Sequence, residues 1–158
     1  MATATRATAL LVRNRVTHTI HAYPHDPRAE GFGEEAARAL GVPEEQLFKT
    51  LVAVVDAKLV CAVVPVSGRL SLKALAAAVA GKRADMADPA AAARATGYVI
   101  GGISPLAQQT RLPVVIDSTA EKFATVFVSA GKRGLQVELA PADLVNLTSA
   151  KVAPISTT

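Results

Sequence analysis

Phe48-Lys49-Thr50-Leu51-Val52-Ala53-Val54-Val55, then Asp56-Ala57, then Lys58-Leu59-Val60-Cys61-Ala62-Val63-Val64 is two apolar, β-branched runs separated by two residues. That pattern predicts two strands joined at Asp56-Ala57. Upstream, Ala7, Leu10, Leu11 and Asn14 fall at helical spacing and predict an amphipathic helix over Thr3 to Asn14. A strand is predicted over Val16 to Ala22, ending in the proline-bounded loop Tyr23-Pro24-His25-Asp26-Pro27. Glu34 to Leu40 reads as a short helix closed by Gly41.

Downstream, Ser71 caps an alanine-rich helix ending near Gly81, and Asp88-Pro89 starts another that Gly97 stops. Strands are predicted near Pro113 to Asp117, Ala124 to Ser129 and Leu135 to Leu139, with a final helix after Pro141. Gly131-Lys132-Arg133-Gly134 fits a hairpin connection between the last two strands. Helices interleave with a mostly hairpin-connected sheet, and no repeat or linker divides the chain. The expectation is one α+β domain over residues 1–158, with a mixed sheet.

At 158 residues and 51% hydrophobic, the chain is long enough for a sizeable core. No apolar run reaches the roughly 20 residues of a membrane span. The small residues of Met1-Ala2-Thr3-Ala4-Thr5 lead into no long apolar region, so no secretory signal is expected. The single cysteine, Cys61, excludes an internal disulfide and a multi-cysteine metal site, and a reduced, cytoplasmic setting is expected. The net charge of +4 is spread evenly, with nine basic and seven acidic residues through position 80 and eight and six beyond. That balance permits a modest RNA-facing surface without pointing to one. With no Trp and few other aromatics, a platform of stacked bases is not expected.

No conventional catalytic cluster is visible. His18 and His21 point to opposite faces of their strand, and no zinc-type pattern accompanies them, so no metal and no cofactor is expected. His25 either fixes a turn or lines a pocket. Cys61 lies in an almost wholly apolar strand, where burial suppresses the thiolate. Ser104 lacks a nucleophile-elbow context. Lys49, at the start of an apolar strand, shares a face with Leu51, Ala53 and Val55. It is either a solvated edge lysine or a cation at a cleft rim that holds a phosphate or polarises a carbonyl. Lys132 and Arg133 are likewise solvated turn charges or a small anion grip. Tyr23 and Phe32 either complete a core or cover a pocket.

Gly97-Tyr98-Val99-Ile100-Gly101-Gly102-Ile103-Ser104-Pro105-Leu106-Ala107 is a short apolar run entering a glycine pair and a Ser-Pro turn. Backbone N–H groups in such a loop can hold an oxyanion or a phosphate, or simply complete a turn.

In order and spacing, the chain resembles the YbaK/EbsC family of trans-acting deacylases, related to the editing domain inserted in bacterial prolyl-tRNA synthetases. The carrying stretches are Tyr23 to Pro27, Phe32-Gly33-Glu34-Glu35-Ala36, Phe48 to Leu51, Met86-Ala87-Asp88-Pro89, Gly97 to Leu106 and Val128 to Leu135. The resemblance implies a barrel-like, mostly antiparallel sheet surrounded by helices. It looks most like the subgroup that hydrolyses cysteine mischarged on tRNA(Pro), in which the substrate's own thiol attacks its ester and the enzyme supplies no nucleophile.

The resemblance implies that Lys49 is the essential lysine, anchoring the 3′-terminal nucleotide or the reacting ester, and the backbone N–H groups of Gly101 and Gly102 are expected to stabilise the oxyanion. Tyr23 and Phe32 would line the pocket, Thr50, Ser104, Pro105 and Ser129 would form its walls, and Lys132 and Arg133 would meet tRNA. The implied partners are aminoacyl-tRNA and prolyl-tRNA synthetase in a ternary complex, with no membrane. Two positions depart from the family pattern. Ala107 stands where glycine is usual, and Gln136 where some relatives carry an acid. These departures keep open a non-catalytic tRNA- or synthetase-binding module, or a deacylase for another small aminoacyl ester such as alanyl-tRNA(Pro).

Overall fold

Asp56 and Ala57 both have positive φ, 48° and 72°, as the two-residue hairpin turn requires. They set the register of β2 (Phe48–Val55) against β3 (Lys58–Pro65), with Val55 opposite Lys58 and Phe48 opposite Pro65. In a computed structural model describing residues 3–29 and 31–158, this hairpin is the centre of the molecule. The Asp56 carboxylate accepts the N–H groups of Lys82 and Arg83, which lays β5 (Ala84–Met86) antiparallel against the far end of β2. On the other side β6 (Val114–Asp117) runs parallel to β3, and β9 (Lys151–Ala153) parallel to β6. The mixed sheet therefore has the order β5-β2-β3-β6-β9.

A second, antiparallel sheet is formed by β1 (His18–Ala22), β8 (Leu135–Leu139) and β7 (Val126–Lys132), with β8 central. Its hairpin turn is only Arg133-Gly134, because the register slips between Ser129 and Lys132 and absorbs Gly131 as an irregularity within β7. A parallel bridge between Leu47 and Phe127 ties the two sheets at one corner. A small third sheet pairs β4 (Arg69–Leu70) with β10 (Ser156–Thr157). The fold is α+β with a mixed, mostly antiparallel strand set, as expected, although the sheets do not close into one barrel.

β3 is apolar at almost every position because both of its faces are covered. Cys61 and Val63 join Phe48 and Val52 in a core shared with Val126, Val128, Val137 and Leu139 of the second sheet. Val60, Ala62 and Val64 face the opposite way, against Leu75 and Ala76 of α3 (Leu72–Ala78) and against Ile155. Helix α1 (Arg6–Arg13) begins later than its periodicity suggested, because Thr5 caps it: Thr8 N–H donates to Thr5 Oγ1 and Thr5 N–H to Thr8 Oγ1. The strand expected from Val16 starts at His18, since Val16 N–H closes the end of α1 on Leu11 O.

Helix α2 (Phe32–Leu40) ends at Gly41 with φ 68°, and α4 (Pro89–Thr96) runs from its Asp88 cap to Gly97. A 3-10 turn (Ser118–Lys122) and α5 (Pro141–Thr148) complete the helical layer. The short strands β4, β5, β9 and β10, of two or three residues each, are too short to show alternation in the sequence. Met1, Ala2 and Glu30 lie outside the described residues, and with them part of the N-terminal stretch weighed for a signal.

Candidate active site

β5 pairs only with Ala53 to Val55, so the first half of β2 has no strand beside it on that edge. A cavity of about 340 Å³ opens there. It lies between the start of α2, the start of β2, the β5–α4 connection, the glycine loop and the middle of the β7–β8 sheet. Lys49, Thr50, Phe32, Gly101 and Ser129 all line it. Lys49 pairs with Val64 through its backbone, and its side chain has no ion pair or hydrogen bond among the described residues. The short reach of β5 thus leaves this lysine on a cavity wall at the unpaired half of β2, where a free cation can meet an anionic or carbonyl oxygen.

Two further polar atoms await partners. Thr50 Oγ1 and Gln136 Oε1 are buried with no hydrogen-bond partner among the described residues, and both side chains belong to the cavity wall. Buried polar atoms rarely stay unpaired. Here they offer a hydroxyl and an amide carbonyl to an occupant carrying N–H or O–H groups.

The two adjacent glycines do different work. Gly102 N–H donates to Val99 O at 2.9 Å, and Gly101 has φ 85°, which makes Val99 to Gly102 a type II turn. A Cβ on Gly102 would come within 2.9 Å of main-chain atoms of Lys132 and Arg133, and Gly102 O accepts Ser129 Oγ at 3.1 Å. Gly102 is thus a packing glycine whose N–H is already used, and it does not line the cavity. Gly101 does line it, and its N–H has no partner among the described residues.

Three expected wall residues lie elsewhere. Ser104 is fully buried and accepts Leu106 N–H at 3.1 Å, fixing the loop from within. Pro105 borders a separate cavity of about 170 Å³ together with Ala107 and Leu10. Tyr23 is packed against Ala36, Leu47 and Phe127 behind the site. Burial pushes its phenol pKa up, against the opposing pull of the Gly134 backbone and the Gln136 side chain.

Each histidine is engaged in the fold. His25 Nδ1 lies 2.8 Å from Glu35 Oε1, His21 Nε2 lies 2.9 Å from Glu138 Oε1, and His18 bonds Val16 O. Among the described residues no three His, Cys, Asp or Glu side chains come together as a metal site. Burial pushes the Cys61 thiol up to about 12, so it is no nucleophile at neutral pH. The hairpin with Lys132 and Arg133 borders the glycine turn, and Arg133 Nε donates to Ile100 O at 2.8 Å. Met86, Ala87 and Pro89 on the cavity lip were assigned no role from sequence, although their stretch carried part of the resemblance.

Residues 27–147 match the aminoacyl-tRNA editing domain. The chain belongs to this editing family. Enterococcus faecalis EbsC, described as a candidate Cys-tRNA(Pro)/Cys-tRNA(Cys) deacylase, is 38% identical over 125 residues, covering 78% of this chain and 76% of its own. A solved structure of a candidate trans-editing enzyme for prolyl-tRNA synthetase superposes with a TM-score of 0.85 at 26% identity, over 100% of this chain and 99% of its own. Another, of a hypothetical protein, gives 0.86 at 27%, over 97% of this chain and 100% of its own. As an editing-family member the chain is an aminoacyl-tRNA deacylase. No helix among the described residues is long and apolar enough to cross a membrane.

Proposed function

We propose that the whole chain, residues 1–158, acts as one trans-editing domain that clears cysteine mischarged on tRNA(Pro). The observation that carries this reading is a small cavity holding an unpaired Lys49 and the free N–H of Gly101, with no cysteine or histidine among the described residues that line it. Such a site can orient and stabilise, and the nucleophile then comes from the substrate. The substrate's sulfur bonds to its own carbonyl carbon, and Gly101 N–H receives the oxyanion. The ester C–O bond breaks and the thiol proton passes to the departing ribose oxygen, leaving free tRNA and a cyclic thioester that water opens. Lys49 anchors the terminal nucleotide or the ester oxygen. Phe32 and Ser129 shape the side-chain pocket, while Thr50 Oγ1 and Gln136 Oε1 meet the polar groups of the aminoacyl end. Gly102, Ser104, Pro105 and Tyr23 support these groups from behind.

The modest, evenly spread charge supports low tRNA selectivity by the isolated protein. Selection of tRNA(Pro) then comes from a ternary complex with prolyl-tRNA synthetase in the cytoplasm, with Lys132, whose backbone lies against Gly102, contributing to the tRNA contact.

A deacylation panel of cysteinyl-, alanyl- and prolyl-tRNA(Pro) tests the reading. Cysteinyl-tRNA should be cleared fastest, and Lys49→Ala should slow it by about a hundredfold or more, the range for losing a preorganised charge-stabilising group. Faster clearance of alanyl-tRNA, which has no thiol, would overturn substrate-assisted cleavage. Full activity in Lys49→Ala would remove the lysine from the mechanism.

A further inference from the structure

The central peptide of the Val99 to Gly102 turn joins Ile100 to Gly101. Type I and type II turns differ by a flip of this one peptide, which exchanges the directions of its C=O and N–H. Because the peptide is trans and planar, Ile100 O and Gly101 N–H point in opposite directions. Whatever holds the carbonyl therefore aims the amide. Arg133 holds it: its Nε donates to Ile100 O at 2.8 Å. The guanidinium also lies 4.9 Å from the centre of the Phe32 ring, which braces it from α2. The fit is close, since a Cβ on Gly101 would stand 2.9 Å from Arg133 Nε and from two Phe32 ring atoms.

We propose that Arg133 is a positioning residue: by fixing the Ile100 carbonyl it locks the turn in the orientation that presents Gly101 N–H to the cavity, and so sets the turnover rate. Arg133 is not among the residues that line the cavity, whereas Gly101 is, which fits a peptide with its carbonyl turned to Arg133 and its N–H turned inward. This role differs from a tRNA-phosphate contact, and it rests on the reading of Gly101 N–H as the oxyanion donor.

The test compares wild type, Arg133→Met and Arg133→Lys by single-turnover deacylation of cysteinyl-tRNA(Pro), by tRNA affinity against salt, and by the Gly101 amide resonance in a 15N spectrum. The lock predicts a shifted Gly101 resonance in Arg133→Met and a maximal rate lower by about tenfold to a hundredfold. That is less than the hundred- to thousandfold cost of losing an oxyanion donor outright. tRNA affinity should hold within about twofold, and Arg133→Lys, which keeps a donor, should recover part of the rate.

An unmoved Gly101 resonance overturns the lock. Weaker tRNA binding with a smaller salt slope and an unchanged maximal rate would instead make Arg133 a phosphate contact. A shifted resonance without loss of rate, in an active wild type, would overturn both the control of turnover and Gly101 as the donor. An inactive wild type would refute the deacylase reading, while the resonance still decides whether Arg133 holds the turn.

Discussion

Ala107 carries φ 54°, a left-handed conformation that costs a residue with a Cβ about 1–2 kcal/mol. Replacing it with glycine removes that cost. Against this stand the greater freedom of glycine in the unfolded chain, about 0.5–1 kcal/mol, and the loss of one partly buried methyl. Ala107→Gly should therefore stabilise the protein by about 0.5 kcal/mol, or roughly 1–2 °C in melting temperature for a chain of this size. Ala57→Gly is a cleaner companion, since Ala57 is exposed at φ 72° in the β2–β3 turn and gives up no packing; about 1 kcal/mol is expected. Ala93→Gly, inside α4, is the opposite control and should cost about 0.5–1 kcal/mol. Urea unfolding of the three variants beside wild type measures each difference, and deacylation by Ala107→Gly should stay within about twofold. If Ala107→Gly and Ala57→Gly both lower stability as Ala93→Gly does, the left-handed backbone at these two alanines carries no such strain.

Asp117 is almost wholly buried, and its Oδ1 accepts the N–H groups of Ile155 and Ser156, both at 2.9 Å. Asp117→Ala should destabilise the protein by about 3 kcal/mol, and limited proteolysis should then cut the C-terminal strand first; an uncut terminus would refute the anchor. Acid should also weaken the fold. Burial pushes the Asp117 and Glu35 carboxyls up, but hydrogen bonds, chiefly from Thr119 and from His25, outweigh it and leave both below the ordinary range. Bonds from Thr125 and His21 hold Glu138 low as well. The unfolded chain therefore binds more protons than the folded one in acid. Stability is fully present above the ordinary carboxylate range and is lost as pH falls through the depressed folded values. The urea midpoint should drop in that window, and Glu138→Gln should make the drop shallower; a midpoint flat into acid would contradict this. Cys61, fully buried with its thiol up at about 12, should react with a thiol reagent only after unfolding.

Local energies made much of this protein legible in sequence. The strand–turn–strand over Phe48 to Val64, the Ser71 and Asp88 caps, and the Gly41 and Gly97 stops each depend on neighbours a few residues away. Lys49 stood out because one cation interrupts an otherwise apolar run. The roles of Tyr23, Ser104 and Pro105 were not legible, because whether a loop residue faces a cavity or its back wall depends on segments far along the chain. Thr50 and Gln136 stand out in sequence only through the resemblance, and that Thr50 Oγ1 and Gln136 Oε1 are buried without partners is visible only in the assembled fold.

The glycine pair marks the division most clearly. The sequence by itself determined that the chain turns at Gly101-Gly102 without side chains in the way. Only the tertiary structure distinguished the two, because Gly102 bonds back to Val99 and is pressed against the Lys132–Arg133 backbone while Gly101 faces the cavity. Conformational freedom is a property of the residue, whereas the availability of an N–H depends on every group that comes near it.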